Sequence, residues 1–224
     1  MKTIKNILLT AVAFLGLTVA SNAISLNGLY IEAGTSAVGV ELDGNHNASD
    51  GSVTVGQIGK TAVTGQYGIG WMIGTGKLGL DVGYSVTPGE ASMKTSSDHT
   101  NSSGAVTFEV SDATEYYVSP MINFTDDAAL YLKFGWNDAD TKATGDVTKP
   151  SGLSGETLAL GTVMKMGERL YIRSEAGMTD YDKISVTGLG TSCGGDNSGC
   201  VSTDTKVTAS PTIHYGRVSI GLKF

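Results

Sequence analysis

The sequence predicts an all-β protein, an eight-stranded antiparallel up-and-down transmembrane β-barrel with short turns at one end and four long loops at the other. Three observations lead there. Apolar residues recur at every second position in eight separate runs, the period of a strand with one greasy face. The connections alternate between about three residues and long polar stretches. The face opposite each apolar row is polar or glycine, and no segment reads as an amphipathic helix that would cover the apolar one.

The chain opens with Lys2 and Lys5, an apolar run from Ile7 to Ala20, and the small residues Ser21 to Ala23. That order reads as a secretory signal peptide over residues 1–23, leaving residues 24–224 as one barrel domain. The apolar run falls short of the roughly 20 residues a spanning helix needs. Removing it takes away two lysines and no acids, so 13 basic and 22 acidic side chains remain, a net charge of −9. That balance excludes nucleic acid as a partner on bulk electrostatics.

The runs follow in order. Leu29, Ile31 and Ala33 alternate with Tyr30, Glu32 and Gly34. Val63, Tyr67, Ile69, Trp71 and Ile73 form a second row, and Leu78, Leu80, Val82, Tyr84 and Val86 a third. Between these two lies GTGKLG, Gly74 to Gly79, which matches a dinucleotide-binding glycine pattern. A strand follows it at once, where that chemistry needs a helix N-terminus, so the glycines Gly74-Thr75-Gly76 read as a hairpin. Tyr116, Val118, Pro120, Ile122 and Phe124 make the fourth row, and Leu130, Leu132, Phe134 and Trp136 the fifth. Leu158, Leu160 and Met164 are a weaker sixth; Leu170, Ile172, Ala176 and Met178 are the seventh; Val218, Ile220, Leu222 and Phe224 are the last. The long polar connections are expected over Glu41 to Lys60, Pro88 to Gly104, Asp138 to Ser154 and Asp182 to Asp204.

Apolar rows facing lipid and polar rows facing a lumen solve the problem of a sheet with no second layer, provided that it closes so that every backbone group is paired. The outward aromatics then form two girdles: Trp71, Phe124 and Phe224 near the short turns, and Tyr84, Tyr116 and Trp136 toward the long loops. Pro120 and Pro211 each lack a ladder donor, so a bulge is expected near Pro120, and Pro211 is expected above the membrane.

The last strand, YGRVSIGLKF, carries Val218, Ile220, Leu222 and a terminal Phe224 in alternation. It resembles the C-terminal assembly signal of bacterial outer-membrane proteins, which in that family is read by the barrel-assembly machinery. With the leader and the four-loop plan, the mature chain is similar to the small eight-stranded barrels of the outer-membrane protein A and opacity-protein type. The resemblance implies an outer membrane of a Gram-negative bacterium, periplasmic short turns, and contact with membrane lipid and outer-leaflet glycolipid.

Glu32, Asp81 and Glu175 face Lys133, Arg173 and Arg217 on the inward register, a balanced set, with Glu32 and Arg217 expected as neighbours across the closure. Balance favours a polar plug over an ion-selective pore, which shows a ring of one sign. The role expected is structural or surface interaction, with an unidentified surface ligand at the loops. The alternatives are a narrow porin-like channel for small solutes and, third, a lipid-modifying enzyme. His46, His99 and His214 sit beside no fixed nucleophile, so no catalytic residue is assigned. Asp43 to Gly51 begins like a calcium loop but has Ala48 and Thr54 where glycine and glutamate belong, so no metal and no cofactor are assigned. Cys193 and Cys200 are expected to form one disulfide that clips a loop tip.

Overall fold

The computed structural model describes residues 26–47, 53–94, 107–144, 152–193 and 200–224. The strands are β1 (Gly28–Asn47), β2 (Val53–Thr75), β3 (Leu78–Lys94), β4 (Thr107–Thr125), β5 (Ala128–Thr144), β6 (Leu153–Met166), β7 (Leu170–Tyr181), β8 (Ile184–Cys193) and β9 (Cys200–Lys223). Each pairs antiparallel with its neighbour, and β1 pairs with β9 to close the sheet. β7 and β8 follow one another along the same edge of β9, so the nine strands build a barrel of eight staves.

The ladders fix the barrel's geometry. Starting at Gly28 and crossing perpendicular to the strands, the register passes Met72, Asp81, Ser119, Lys133, Ala159, Gly177 and Tyr215 and returns to β1 at Val38, ten residues further on. Eight staves with a stagger of ten residues lean about 40° from the barrel axis.

The short ends are as tight as the sequence requires. Thr75 pairs with Leu78 around Gly76-Lys77, with Gly76 at φ +60°, which places the first glycine-rich hairpin one residue later than the Gly74-Thr75-Gly76 expected. Thr125 pairs with Ala128 around Asp126-Asp127, and Met166 with Leu170 around a turn that begins at Gly167, φ +83°.

The other end departs from the sequence reading. The segments expected as loops are mostly strand: β1 and β2 stay paired to Asn47 and Val53, β3 and β4 to Lys94 and Thr107, and β8 and β9 to Cys193 and Cys200. Period-two apolar patterning marks only a strand with lipid on one side. A hairpin that projects into water on both sides needs none, and Asp43 to Asn47 carry no apolar side chain yet are strand.

The two prolines sit differently in the ladders. The register is unbroken across Pro120 itself, from Val118 opposite Phe134 to Met121 opposite Tyr131, and the nearby irregularity of β4 against β5 falls between Asn123 and Thr125. A further shift lies opposite Pro211: Asp180 pairs with Thr212 and Ile184 with Ala209, so the β7–β8 stave carries one extra residue where Pro211 offers no N–H. Pro211 lies beyond Thr212, toward the long hairpins, as expected. A second bulge, at Asp112 with φ 51°, bends β4.

Outward and inward sides separate cleanly. Leu29, Ile31, Tyr67, Ile69, Trp71, Tyr116, Ile122, Phe124, Leu158, Leu160, Ile220 and Phe224 are exposed, while the charged and tyrosine side chains between them are buried inside. The outward face of β6 bears no charge from Met166 up to Glu156, ten residues that span about 25 Å at this tilt. Glu156 marks the upper edge of the apolar band on β6, and its register row climbs from there through Asp180 and Thr212 to Glu41.

Candidate functional site

Among the described residues, buried charge gathers in the lumen. Arg173 on β7, 1% exposed, donates from Nη2 to Asp81 Oδ2 on β3 at 2.7 Å, and its Nε lies 3.3 Å from Glu32 Oε2 on β1. Lys133 on β5 donates to Glu175 at 2.9 Å and to Glu115 at 3.2 Å. Arg217 on β9 donates to Glu175 at 3.3 Å and to Ser36 Oγ at 3.1 Å, and sits 3.7 Å from Glu115. Glu32, Asp81, Lys133, Arg173, Glu175 and Arg217 thus meet in one network.

Two features of the sequence reading are corrected. Glu32 and Arg217 are not closure partners: Glu32 faces Gly221, Arg217 faces Ser36, and their ions go to Arg173 and Glu175 respectively. The set is also not balanced, because Glu115 on β4 belongs to it and raises the acids to four against three bases.

The larger omission was tyrosine. Tyr30 donates to Asp81 at 2.7 Å and shares a 2.6 Å hydrogen bond with Tyr117. Tyr131 and Tyr215 donate to Glu175 at 2.8 and 2.7 Å, and Tyr171 donates to Glu32 at 3.0 Å. The Arg173 guanidinium lies within 6.0 Å of the centroids of the Tyr30, Tyr117, Tyr131 and Tyr171 rings. A signal for this was present. Each tyrosine stands two residues from a network charge on its own strand: Tyr30 with Glu32, Tyr117 with Glu115, Tyr131 with Lys133, Tyr171 with Arg173, Tyr215 with Arg217.

Each of these tyrosines also has a glycine as its direct partner on the neighbouring stave: Tyr30 opposite Gly70, Tyr117 opposite Gly83, Tyr131 opposite Gly161, Tyr171 opposite Gly221, Tyr215 opposite Gly177. A Cβ at any of the five glycines would run into the ring or hydroxyl of its tyrosine. The missing side chain is what lets a long phenol lie flat across the wall and reach an acid beyond it. This close approach accounts for glycines that would otherwise weaken a strand.

Apolar clusters flank the network at both ends. Toward the short turns Leu26, Met72, Met121, Ala129 and Val163 pack with the rings of Tyr30, Tyr131 and Tyr171. Toward the long hairpins Ala139, Leu153, Tyr181 and Ile184 pack together, with Val110, Ala113 and Ile213 against them.

The remaining sites are placed as follows. Tyr84, Tyr116 and Trp136 are consecutive register partners on β3, β4 and β5, and the first two rings stand 4.7 Å apart. Trp71 and Phe124 project outward nearer the short turns. Val218, Ile220, Leu222 and Phe224 face outward, and the Phe224 amide donates to Leu29 O at 2.8 Å, tying the last residue to β1. Cys193 and Cys200 are backbone partners at the end of the β8–β9 ladder, and their side chains lie outside the described residues. So do the signal segment, His99, residues 48–51 of the calcium-like stretch and the His46 side chain; Asp43 to Asn47 are strand, paired with Gln57 to Val53. His214 faces outward 3.9 Å from Glu41, with Gly39 and Met178 as its cross-strand partners, neither of which offers a nucleophile.

A closed barrel with an apolar belt and a polar lumen is the architecture of a known family, whose sequence pattern matches this chain over residues 7–205. The chain belongs to the outer membrane protein beta-barrel domain family. Membership places it in the outer membrane of a Gram-negative bacterium. No curated protein matches the chain in sequence. Among solved structures it is similar to the outer membrane protein OprG from Pseudomonas aeruginosa, at 15% identity and a TM-score of 0.54 over 90% of this chain and 99% of that one. It is also similar to Neisserial surface protein A, at 12% identity and a TM-score of 0.44 over 88% and 97%. The outer membrane protease OmpT from Escherichia coli matches at 8% identity and a TM-score of 0.45 over 91% and 99%. These likenesses concern the fold; members of such barrels differ in role.

Proposed function

We propose that the chain is an exported outer-membrane barrel of the outer-membrane protein A and opacity-protein type, with residues 1–23 removed. It serves a structural or surface-interaction role, and its lumen carries no solute. The observation that carries this reading is the Arg173–Asp81 ion pair, 2.7 Å long between staves on opposite sides of the bore. With Arg217 reaching Glu115 across the same bore at 3.7 Å, and apolar layers above and below, an ion would have to break buried pairs to pass. The hairpins that rise from the barrel are then the part available to an external ligand, and the apolar band with its carboxylate edge meets lipid and outer-leaflet glycolipid. Val218, Ile220, Leu222 and Phe224 serve the barrel-assembly machinery before insertion. No catalytic role is assigned in this reading.

Bilayer recording on the refolded barrel tests it. Silence of the native protein across the physiological voltage range is the expected outcome. Steady conductance that changes on Arg217→Ala would sink the plug and install the narrow channel in its place.

A further inference from the structure

We propose that Glu32 and Asp81 hold one proton between them at neutral pH, and that this proton locks the lower half of the plug. The proposal goes beyond the structural or surface role and stands on the geometry of the buried network.

The lumen charges divide into two groups. In the upper one Lys133 and Arg217 each lie against both Glu115 and Glu175, so two cations meet two carboxylates. In the lower one Arg173 alone serves Asp81, at 2.7 Å, and Glu32, at 3.3 Å. The excess negative charge of the lumen therefore falls on the lower group, where Asp81 is 0% and Glu32 7% exposed.

The surroundings bring no second cation to that pair among the described residues. Glu32 stands opposite Gly68 and Gly221, Asp81 opposite Met72 and Ser119, and Arg173 opposite Val163 and Ser219. The other titratable groups facing the guanidinium are the phenols of Tyr30, Tyr117, Tyr131 and Tyr171. Lys133 lies over the Tyr117 ring at 4.3 Å, but its hydrogen bonds go to Glu115 and Glu175. Lys223 faces Tyr30 and Lys165 faces Tyr171, both nearer the short turns, and Lys165 lies 3.6 Å from Asp127.

The guanidinium is also spent unevenly. Its Nη2 donates to Asp81 and to the Tyr30 hydroxyl, while Nε, beside Glu32, makes no hydrogen bond. Tyr30 donates to Asp81 and Tyr171 to Glu32, which solvates the two carboxylates without cancelling a charge. Two carboxylates around one cation, shut off from water, repel each other and lack hydration, and both effects favour taking up a proton. With it, each half of the plug is neutral. Without it, a net charge stays in a place that water does not reach. The folded barrel then binds a proton that the unfolded chain has released, so stability falls as pH rises until the pair gives it up.

Infrared spectroscopy of the refolded barrel at neutral pH reads the proton as the carbonyl stretch of a carboxylic acid, distinct from carboxylate and amide bands. The native protein is expected to show that band. Glu32→Gln and Asp81→Asn should each lose it, because either change leaves Arg173 with a single carboxylate, and Glu156→Gln on the outer face should keep it. Urea midpoints taken from neutral to alkaline pH give a second reading: the native midpoint should fall more steeply than that of either single variant, phenol and lysine ionisation being common to all three. A native spectrum without the band, or a band that survives in either variant, overturns the shared proton. Identical pH profiles in the three proteins overturn the lock.

Discussion

Arg173 and Asp81 meet across the whole width of the barrel: β7 and β3 are four staves apart in a ring of eight, yet Nη2 and Oδ2 are 2.7 Å apart and both side chains are sealed from solvent. Glu32 shares the same guanidinium at 3.3 Å. Two carboxylates therefore depend on one cation. Arg173→Leu should cost about 3–5 kcal/mol, since it strands buried charge rather than merely removing a contact. Adding Glu32→Gln and Asp81→Asn to that variant should recover most of the loss. Urea unfolding in vesicles reads both; a triple variant no more stable than the single one would refute this account of the cluster.

The tyrosine–glycine pairs predict a sharp contrast between glycines. At Gly83 a Cβ would collide with the Tyr117 hydroxyl, the group that hydrogen-bonds Tyr30 at 2.6 Å. At Gly216 on the outward face nothing lies within 4 Å of that position. Gly83→Ala should destabilise the barrel by about 1–3 kcal/mol through overpacking, and Gly216→Ala should be near neutral or stabilising. Equal effects in the same unfolding assay would show that the glycines are not there for the phenols.

What the sequence disclosed and withheld follows from which residues lipid touches. The rows Leu78 to Val86 and Val218 to Phe224 alternate because hydrocarbon rewards only one face, so the staves and their order were legible. The continuation of β1 to Asn47 was not, since Asp43-Gly44-Asn45-His46 has no apolar face to reveal a strand. In the lumen, charge was legible one residue at a time, but partnership was not. Which acid Arg217 reaches depends on the ten-residue stagger, and that emerges only when the ladder closes. Glu115 and the five tyrosines were in view on the inward register. Their part in the network rests on the facing glycines, and that pairing needs the register too.

The membrane reading makes its own prediction at Leu160, which faces outward in the middle of the apolar band opposite Leu132. Leu160→Arg should cost about 2–4 kcal/mol, while Thr212→Arg, above the level of Glu156, should cost about 0–1 kcal/mol. A soluble sheet would show no such dependence on depth. Comparable penalties at the two positions would therefore argue against hydrocarbon as the solvent of this face.

Intact-mass measurement on protein recovered from outer membranes tests the two processing steps at once. Cleavage after Ala23 should leave Ile24 as the first residue, close to the buried Leu26 that packs in the lower apolar layer, whose neighbour Asn27 donates to Gly74 O at 2.8 Å. A retained leader would have to emerge past that packed mouth. Cys193 and Cys200 are backbone partners on adjacent strands, the separation over which a disulfide can form. The mature chain should be lighter than its reduced form by two hydrogens. Reduction should loosen only the end of the β8–β9 hairpin, since the bond closes a short loop far from the plug, and the unfolding midpoint of the barrel should not move. A free-thiol mass under oxidising conditions would remove the clip, and a midpoint that fell on reduction would show the hairpin to be part of what holds the barrel shut.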